Sequence, residues 1–182
     1  MPKIIDEINQ IIEVIKQDYS NADFKEMYDI SDIKILLKKY LKNVTEDGGA
    51  FSTVFIPENK TWCIKLVDKE YSSYYLKYIK HCIKHPHKNL PKIHKIWKLS
   101  PVNNTCLVFM EKLYPLPHNT YNKVMEDIFE NNDENISKFN YHPCAKILYR
   151  MIKHYNVDLD LHGNNFMKRK NGSWVLTDPV VG

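Results

Sequence analysis

The chain opens with hydrophobic and polar positions that alternate with the period of an α-helix. Isoleucines recur three or four positions apart over residues 4–15, and a second apolar pattern of this kind follows Ser31. Such spacing gathers the apolar side chains on one face of a helix. We therefore predict helices over residues 3–18 and 31–43, whose apolar faces cover the rest of the fold. The alternative is that the lysines of the second helix dock an acidic partner.

The pattern then changes to that of short strands. The run Asp-Gly-Gly at 47–49 is typical of a turn. Residues 50–57 and 62–67 are rich in β-branched and aromatic side chains, and the polar residues 58–60 predict a hairpin turn between them.

The remaining apolar patterns predict further helices and strands, with polar loops at 100–104 and 131–140. The predicted elements are a helix over 69–85, strands over 93–99 and 105–113, helices over 119–130 and 143–155, a hairpin turn at 170–172 and a strand over 174–177. Helices and strands of this kind in one chain indicate the α+β class.

Composition narrows the class of protein further. The chain has 182 residues, enough for one compact domain, and carries 26 Lys and Arg against 22 Asp and Glu, a net charge of +4. Only Arg150 and Arg169 are arginines. This disfavours nucleic-acid binding, because proteins that read sequence depend on bidentate arginine contacts.

The cysteines and the apolar runs point to the cytoplasm. Four cysteines are far apart in the sequence with no CxxC pair, which is typical of buried, reduced thiols. The longest wholly apolar run, Cys106–Met110, is too short to cross a bilayer, and the first residues do not resemble a secretory signal. We expect a cytoplasmic protein with no membrane partner.

The residues with the clearest chemistry lie near the end of the sequence. Asp160 is followed five positions later by Asn165, and Asp178 lies 18 residues after Asp160, beyond the predicted hairpin. Kinases use this order, because phosphoryl transfer needs a carboxylate to orient the substrate hydroxyl, an amide oxygen on one metal ion and a second carboxylate on the metals. The hairpin is expected to return Asp178 to the side of Asn165.

A glycine turn, a strand and a strand lysine precede this segment. Gly48-Gly49 leads into a strand, and Lys65 follows Val54 by 11 residues. A lysine at this place in kinases neutralises the phosphates of ATP. An isolated strand lysine is more often an edge residue that points to water. Its order relative to the carboxylates favours the catalytic interpretation.

From about residue 47 to 182 the chain resembles protein kinase-like folds, and more closely the early serine/threonine kinases of T-seven-type bacteriophages. The catalytic loop is also similar to that of aminoglycoside-type small-molecule kinases. The matching runs are Phe51-Ser52, Ile64-Lys65-Leu66, Asp160-Leu161-His162-Gly163-Asn164-Asn165 and Thr177-Asp178-Pro179-Val180. The resemblance implies a two-lobe fold, with a helical extension over 1–45, an N-lobe over 46–113, an abbreviated C-lobe over 114–182, and ATP between the lobes.

The resemblance also implies a role for each matching residue. Asp160 is the catalytic aspartate, Lys65 contacts the phosphates of ATP, and Asn165 and Asp178 hold Mg²⁺. His162 stands where protein kinases keep a lysine near the transferring phosphate. The alternative for His162 is a structural role, with a bond to the backbone of the loop.

Further residues are implied to surround the nucleotide. They are Gly49, Phe51, Ser52 and Val54 in the glycine segment, the gatekeeper Met110, and the hinge backbone from Glu111 to Leu113. Glu70 is the acid available to pair with Lys65. An acid in the first turn of a helix is also favoured by the helix dipole, so both explanations of Glu70 stay open.

The pattern departs from protein kinases at its end. Pro179-Val180 replaces the usual Phe-Gly, and the sequence stops at Gly182, so it is either a truncation or a minimal kinase that positions its substrate differently. The implied function is ATP- and Mg²⁺-dependent transfer to Ser or Thr of a host protein, in host takeover or counter-defence within the host cytoplasm. The alternatives are a small-molecule kinase and a catalytically weak kinase-like protein that binds and inhibits a host factor.

Overall fold

The computed structural model of the chain describes residues 2–20, 30–49, 52–99, 105–129, 143–156 and 158–181. Over these residues it is an α+β protein. The helices are α1 (Pro2–Ser20), α2 (Ile30–Leu41), α3 (Lys69–Lys84), α4 (His118–Phe129) and α5 (Pro143–Tyr155). The strands are β1 (Val44–Gly49), β2 (Ser52–Pro57), β3 (Trp62–Val67), β4 (Ile93–Lys98), β5 (Cys106–Glu111), β6 (Tyr114–Pro115), β7 (Asp158–Leu159), β8 (Phe166–Lys168), β9 (Trp174–Leu176) and β10 (Val180–Val181).

The chain divides into two compact units. The first unit comprises Met1–Ser72 and His94–Met110, and the second comprises Ser73–Ile93 and Glu111–Gly182. The chain therefore passes between the units within α3, at the start of β4 and at the end of β5.

The first unit is built on a five-stranded sheet with the order β1-β2-β3-β5-β4. The pairs β1–β2 and β2–β3 are antiparallel. Apolar residues of α1 and α2 form one core with alternate residues of the strands, as predicted. The members of this core that are at most 1% exposed are Ile8, Ile12, Ile33, Leu37, Phe55, Ile64, Leu66 and Leu107.

The predicted turn at Asp47, Gly48 and Gly49 is wrong. These residues are the end of β1 and pair with Val54, Thr53 and Ser52 of β2. A Cβ atom on Gly48 would lie 2.6 Å from the main-chain oxygen of Ser52. Gly48 is therefore required for the close approach of the two strands, and not for a reversal of the chain.

The second unit has its own core and two small sheets. β6, β8 and β9 form one sheet in that order, and β7 pairs with β10. The core joins α4 and α5 to the β8–β9 hairpin, and its buried members are Val124, Ile128, Ala145, Leu148, Phe166 and Leu176.

A loop residue pairs with the outer edge of β9 as a further strand would. The main-chain oxygen of Asn89 accepts a bond from the amide of Leu176 (2.9 Å). The Asn89 side-chain nitrogen donates to the carbonyl of Trp174 (3.0 Å). The hydroxyl of Tyr78 on α3 donates to the carbonyl of Leu176 (2.5 Å). β9, which leads to Asp178, is thus held from both the hairpin and the α3 side.

The predicted helices and strands agree with the observed ones to within a few residues. The exceptions are the turn predicted at 47–49 and the strands β1, β6, β7, β8 and β10, for which the sequence predicts no strand. The predicted loops at 100–104 and 131–140 lie outside the described residues. The four cysteines are buried, free thiols, as expected. Among the described residues, no helix combines the length and the apolar character needed to cross a membrane.

Candidate active site

A hydrogen bond between Asn165 and Asp160 closes the segment predicted as the catalytic loop. The side-chain nitrogen of Asn165 donates to the main-chain oxygen of Asp160 at 2.7 Å. Asn165 ends the 3-10 turn Gly163–Asn165 and is 7% exposed. Because the amide nitrogen is committed to Asp160, the side-chain oxygen is the atom that Asn165 can offer to a metal ion.

His162 stabilises the same loop. Its Nδ1 accepts a bond from the amide of Asn164 (3.3 Å). Its Nε2 lies 3.3 Å from the side-chain nitrogen of Asn165 and 3.3 Å from Oδ2 of Asp160, so the ring contacts both residues. The structural alternative for His162 is thus present in the geometry.

The loop rests on an aromatic support from α4. The hydroxyl of Tyr121 donates to the main-chain oxygen of Leu161. The Tyr121 ring meets the buried Phe166 ring edge to face, with 5.4 Å between the ring centres. Phe166 directly follows Asn165, so this contact fixes the loop at the residue next to Asn165.

Asp178 lies between two residues that are bonded to the loop. Thr177 donates to the carbonyl of Asn165 from its amide (2.8 Å) and from its hydroxyl (3.0 Å). The carbonyl of Pro179 accepts a bond from the amide of Asp160 (2.8 Å). The structure therefore brings Asp178 back beside Asp160 and Asn165, as the order of the residues predicts.

The side-chain oxygens of Asn165 and Asp178 would suit a Mg²⁺ ion that also binds phosphate and water better than a metal ion held by protein side chains alone. In the part of the chain that the structure describes, no three side chains of the types His, Cys, Asp and Glu are grouped to hold a metal ion. Mg²⁺ at phosphate sites commonly takes one or two carboxylates and completes its octahedron with phosphate oxygens and water. Asp178 and the amide oxygen of Asn165 are of the hard, oxygen-donor type that this requires.

Lys65 is not an edge residue. It lies on β3, which has β2 and β5 as neighbours in the sheet, and it is 7% exposed. Its charge acts on the thiol of Cys106 on β5. Lys65 is therefore a buried lysine in the interior of the first unit, where a charged group is costly unless it is paired.

Four of the predicted nucleotide-contacting residues share one face of the sheet. Lys65 is directly opposite Val54 in the β2–β3 register. Side chains alternate between the two faces of a strand. Since Phe55, Ile64 and Phe109 belong to the core beneath α1 and α2, the opposite face carries Ser52, Val54, Lys65 and Met110.

Three further residues predicted around the nucleotide, Gly49, Phe51 and Glu70, are not among these four. Gly49 ends β1 opposite Ser52. Phe51 lies outside the described residues, and so does the side chain of Glu70. The structure therefore leaves the proposed Lys65–Glu70 pair as a prediction.

The hinge segment is fixed by an ion pair with Arg169. The guanidinium of Arg169 bonds both carboxylate oxygens of Glu111, at 2.9 Å and 2.7 Å. It also donates to the carbonyls of Leu90 (2.9 Å) and Lys88. The Glu111 carboxylate accepts from the amide of Lys92 (2.8 Å), and the Glu111 amide donates to the Lys92 carbonyl (3.0 Å).

The amide of Glu111 is therefore not available to adenine. The other predicted adenine contacts of the segment from Glu111 to Leu113 stay a prediction. Leu113 itself is 7% exposed.

Sequence reasoning missed Arg169 and Thr177 as site residues. Arg169 could have been found as one of only two arginines in a lysine-rich chain, since arginine is the residue suited to bidentate carboxylate pairing. Thr177 precedes Asp178, but nothing in the sequence shows that its hydroxyl reaches Asn165.

A cavity of about 580 Å³ lies elsewhere in the first unit. It is lined by α1, by the end of α2 and by the β2–β3 turn, and it contains none of the predicted site residues. This cavity is therefore separate from the predicted site residues.

No protein-family model matches the sequence, and no curated protein matches it at a significant level. The functional assignment accordingly rests on the residues and contacts described above.

Proposed function

We propose that this protein is an ATP- and Mg²⁺-dependent phosphotransferase whose acceptor is a Ser or Thr hydroxyl of a protein. The observation that carries the proposal is the bonding of Asn165 to both sides of the site. Its side chain bonds the Asp160 carbonyl, and its own carbonyl is bonded twice by Thr177, the residue before Asp178. These bonds link the segments that carry Asp160, Asn165 and Asp178, and the order of these residues is the one that phosphoryl transfer uses.

The roles follow from the chemistry of the groups. Asp160 orients the acceptor hydroxyl and accepts its proton, and the His162 ring, whose Nε2 lies 3.3 Å from Oδ2, holds the Asp160 carboxylate in place. Asn165 and Asp178 would hold Mg²⁺, which neutralises phosphate charge when it is bound. The reaction needs little covalent help from the protein, so positioning and charge neutralisation are the main contributions.

The first unit supports the proposal independently. Lys65, Ser52, Val54 and Met110 share one sheet face, as a nucleotide-binding surface requires. The strand order β1-β2-β3-β5-β4 is compatible with the small sheet of a kinase-like fold. The chain also leaves this unit between Met110 and Glu111, where the resemblance places the hinge.

The biological acceptor is proposed from the phage-kinase resemblance. It is a protein of the host, modified in the host cytoplasm during takeover or counter-defence. A small-molecule acceptor, or binding of a host factor without catalysis, would show as a different outcome of the same assay.

The test is transfer of label from γ-labelled ATP in the presence of Mg²⁺. The protein itself, dephosphorylated casein and an aminoglycoside serve as acceptors, with Asp160→Asn as the matched inactive variant. We expect label on Ser or Thr of protein with the wild type and none with the variant. Label on the aminoglycoside alone would identify a small-molecule kinase, and nucleotide binding without any transfer would identify the binding protein.

A further inference from the structure

Two neighbouring helices of the second unit present basic side chains on their outer faces. Residues 73–84 of α3 contain three lysines at helical spacing and no acid, and α5 contains three basic residues at the same spacing and no acid. We call these six residues the basic strip: Lys77, Lys80, Lys84, Lys146, Arg150 and Lys153. Five of them are exposed and Lys77 is partly buried.

The two rows of the basic strip run side by side. The ammonium of Lys77, near the start of α3 in this unit, is 5.6 Å from the ring of Tyr155 at the end of α5. One turn further along α3, the charge of Arg150 acts on His81. Tyr155, late in α5, thus lies near Lys77, early in this part of α3, whereas Arg150, earlier in α5, lies near the later residue His81. The two helices are therefore antiparallel, and their basic rows are adjacent.

The basic strip concentrates positive charge on one part of the surface. The six charges of the basic strip exceed the net charge of +4 of the whole chain, so the rest of the protein is net negative. Burial lowers the pKa of His81 between the rows, and the charges of His85, Arg150 and Lys84 lower it further. Concentrated charge of one sign attracts a partner of the opposite sign and orients it before contact.

We infer that the basic strip is a docking surface for an acidic segment of a partner protein. Each row covers about 10 Å from its first to its last charge at 1.5 Å per residue. That length matches about three residues of an extended chain at 3.3 Å each. A short run of Asp or Glu is therefore the complementary ligand.

Two observations favour an acidic protein over a nucleic acid. Five of the six basic residues are lysines, whereas arginine is the preferred residue at nucleic-acid surfaces. The tyrosines beside the basic strip also have a lysine ammonium over the ring. Lys77 lies 5.1 Å from the Tyr74 ring centre and 5.6 Å from that of Tyr155, and Lys153 lies 5.8 Å from that of Tyr149. Bases that stack on a protein need open aromatic faces.

The test is fluorescence anisotropy of a labelled decaglutamate peptide with the full chain at low salt and without nucleotide. Lys80→Glu/Lys84→Glu/Lys153→Glu reverses three exposed charges of the strip. Lys39→Glu/Lys60→Glu/Lys98→Glu makes the same change in total charge at exposed positions of the first unit. We expect the strip variant to lose affinity about tenfold or more, and the control variant to stay within about threefold of the wild type.

Equal losses in the two variants, or no binding by the wild type, would overturn the inference. Tighter binding of an oligothymidylate than of decaglutamate, lost in the strip variant, would replace the acidic protein with a nucleic acid. The same substitutions to Gln give a second set that avoids charge reversal if the Glu variants fold poorly. Because no ATP is used, failure here is distinguishable from failure of the proposed phosphotransferase, which the labelled-ATP assay tests.

Discussion

Thr177 bonds twice to the main-chain oxygen of Asn165, from its amide at 2.8 Å and from its hydroxyl at 3.0 Å. The amide bond continues the main-chain pairing of β8 with β9 by one residue, whereas the hydroxyl bond depends on the side chain at position 177. Since Asp178 is the next residue, both bonds hold the proposed metal carboxylate beside the proposed metal amide. Both proposed Mg²⁺ ligands thus depend on a threonine that has no chemical role of its own.

Substitution of Thr177 separates this positioning role from simple packing. Thr177→Val removes the hydroxyl bond and keeps the shape, so we expect the free energy of unfolding to fall by about 0.5–1.5 kcal/mol. Affinity for Mg²⁺-ATP should fall as well. Thr177→Ser keeps the hydroxyl and is the control, measured by urea unfolding and nucleotide titration. Unchanged nucleotide affinity in Thr177→Val would contradict the positioning role.

The Arg169–Glu111 pair is expected to stabilise the second unit. Arg169→Met leaves the Glu111 carboxylate, which is 15% exposed, without its guanidinium. We expect a loss of about 1.5–3 kcal/mol in the free energy of unfolding. Arg169→Lys keeps the charge without the bidentate geometry and should fall between.

A double-mutant cycle with Glu111→Gln isolates the pair. The expected result is that Arg169→Met costs clearly less in the Glu111→Gln background. Additive losses in urea unfolding would show that the two side chains do not act together.

The opening helix is expected to act through packing. Ile12 on α1 is 0% exposed within the core of the first unit, so Ile12→Ala should cost about 2–5 kcal/mol. Ile35→Ala on α2 is the control, since Ile35 is 64% exposed and its removal should change the free energy of unfolding by less than about 0.5 kcal/mol. Similar effects of the two substitutions on urea unfolding would contradict the packing role of α1 and would favour the docking role of the opening helices.

The buried thiols predict a loss of stability at alkaline pH. Burial raises the pKa of Cys82, Cys106 and Cys144 to about 12 from the ordinary value of 9.0. The native state therefore holds these protons more tightly than the unfolded state does, so the stabilisation is fully present below pH 9 and is lost as the pH rises toward 12.

Reagent access provides the direct measurement of the thiols. At pH 8 the folded protein should react very slowly with a thiol reagent such as Ellman's reagent, and all four cysteines should react after denaturation. Rapid reaction of several thiols in the folded protein would show that the burial is wrong.

The pH dependence of stability is the second measurement. The free energy of unfolding, measured by urea unfolding between pH 8 and pH 10, should fall as the pH rises.

How much the sequence could predict depends on how local the cause is. The helix over 143–155 was predicted with the observed bounds, because an apolar face with a proline in the first turn is a local pattern. The run 47–49 is wrongly predicted as a turn because its glycines, Gly48 and Gly49, suit tight turns and close strand contacts alike. Only the close approach of Gly48 to Ser52 distinguishes the two. Strands of two residues, such as β7 and β10, carry no period to detect.

The same distinction applies to the site. The return of Asp178 to the segment of Asp160 and Asn165 can be predicted, because the hairpin between Asn165 and Asp178 reverses the chain. The Arg169–Glu111 pair joins residues 58 positions apart, and no local pattern connects them. The contacts of the His162 ring with the Asn164 amide and the Asp160 carboxylate likewise appear only when the loop is folded.

Calorimetric titration of ATP into the wild type, with Mg²⁺ and with EDTA, tests the central claim most directly. Asp160→Asn and Asp178→Asn are the matched pair, each exchanging one carboxylate for an amide. The account predicts that the wild type binds ATP more tightly with Mg²⁺, that Asp160→Asn keeps this dependence, and that Asp178→Asn loses most of it, because a neutral amide is a poorer ligand for a hard dication. No binding by the folded wild type at millimolar ATP and Mg²⁺, or identical metal dependence in both variants, would contradict it.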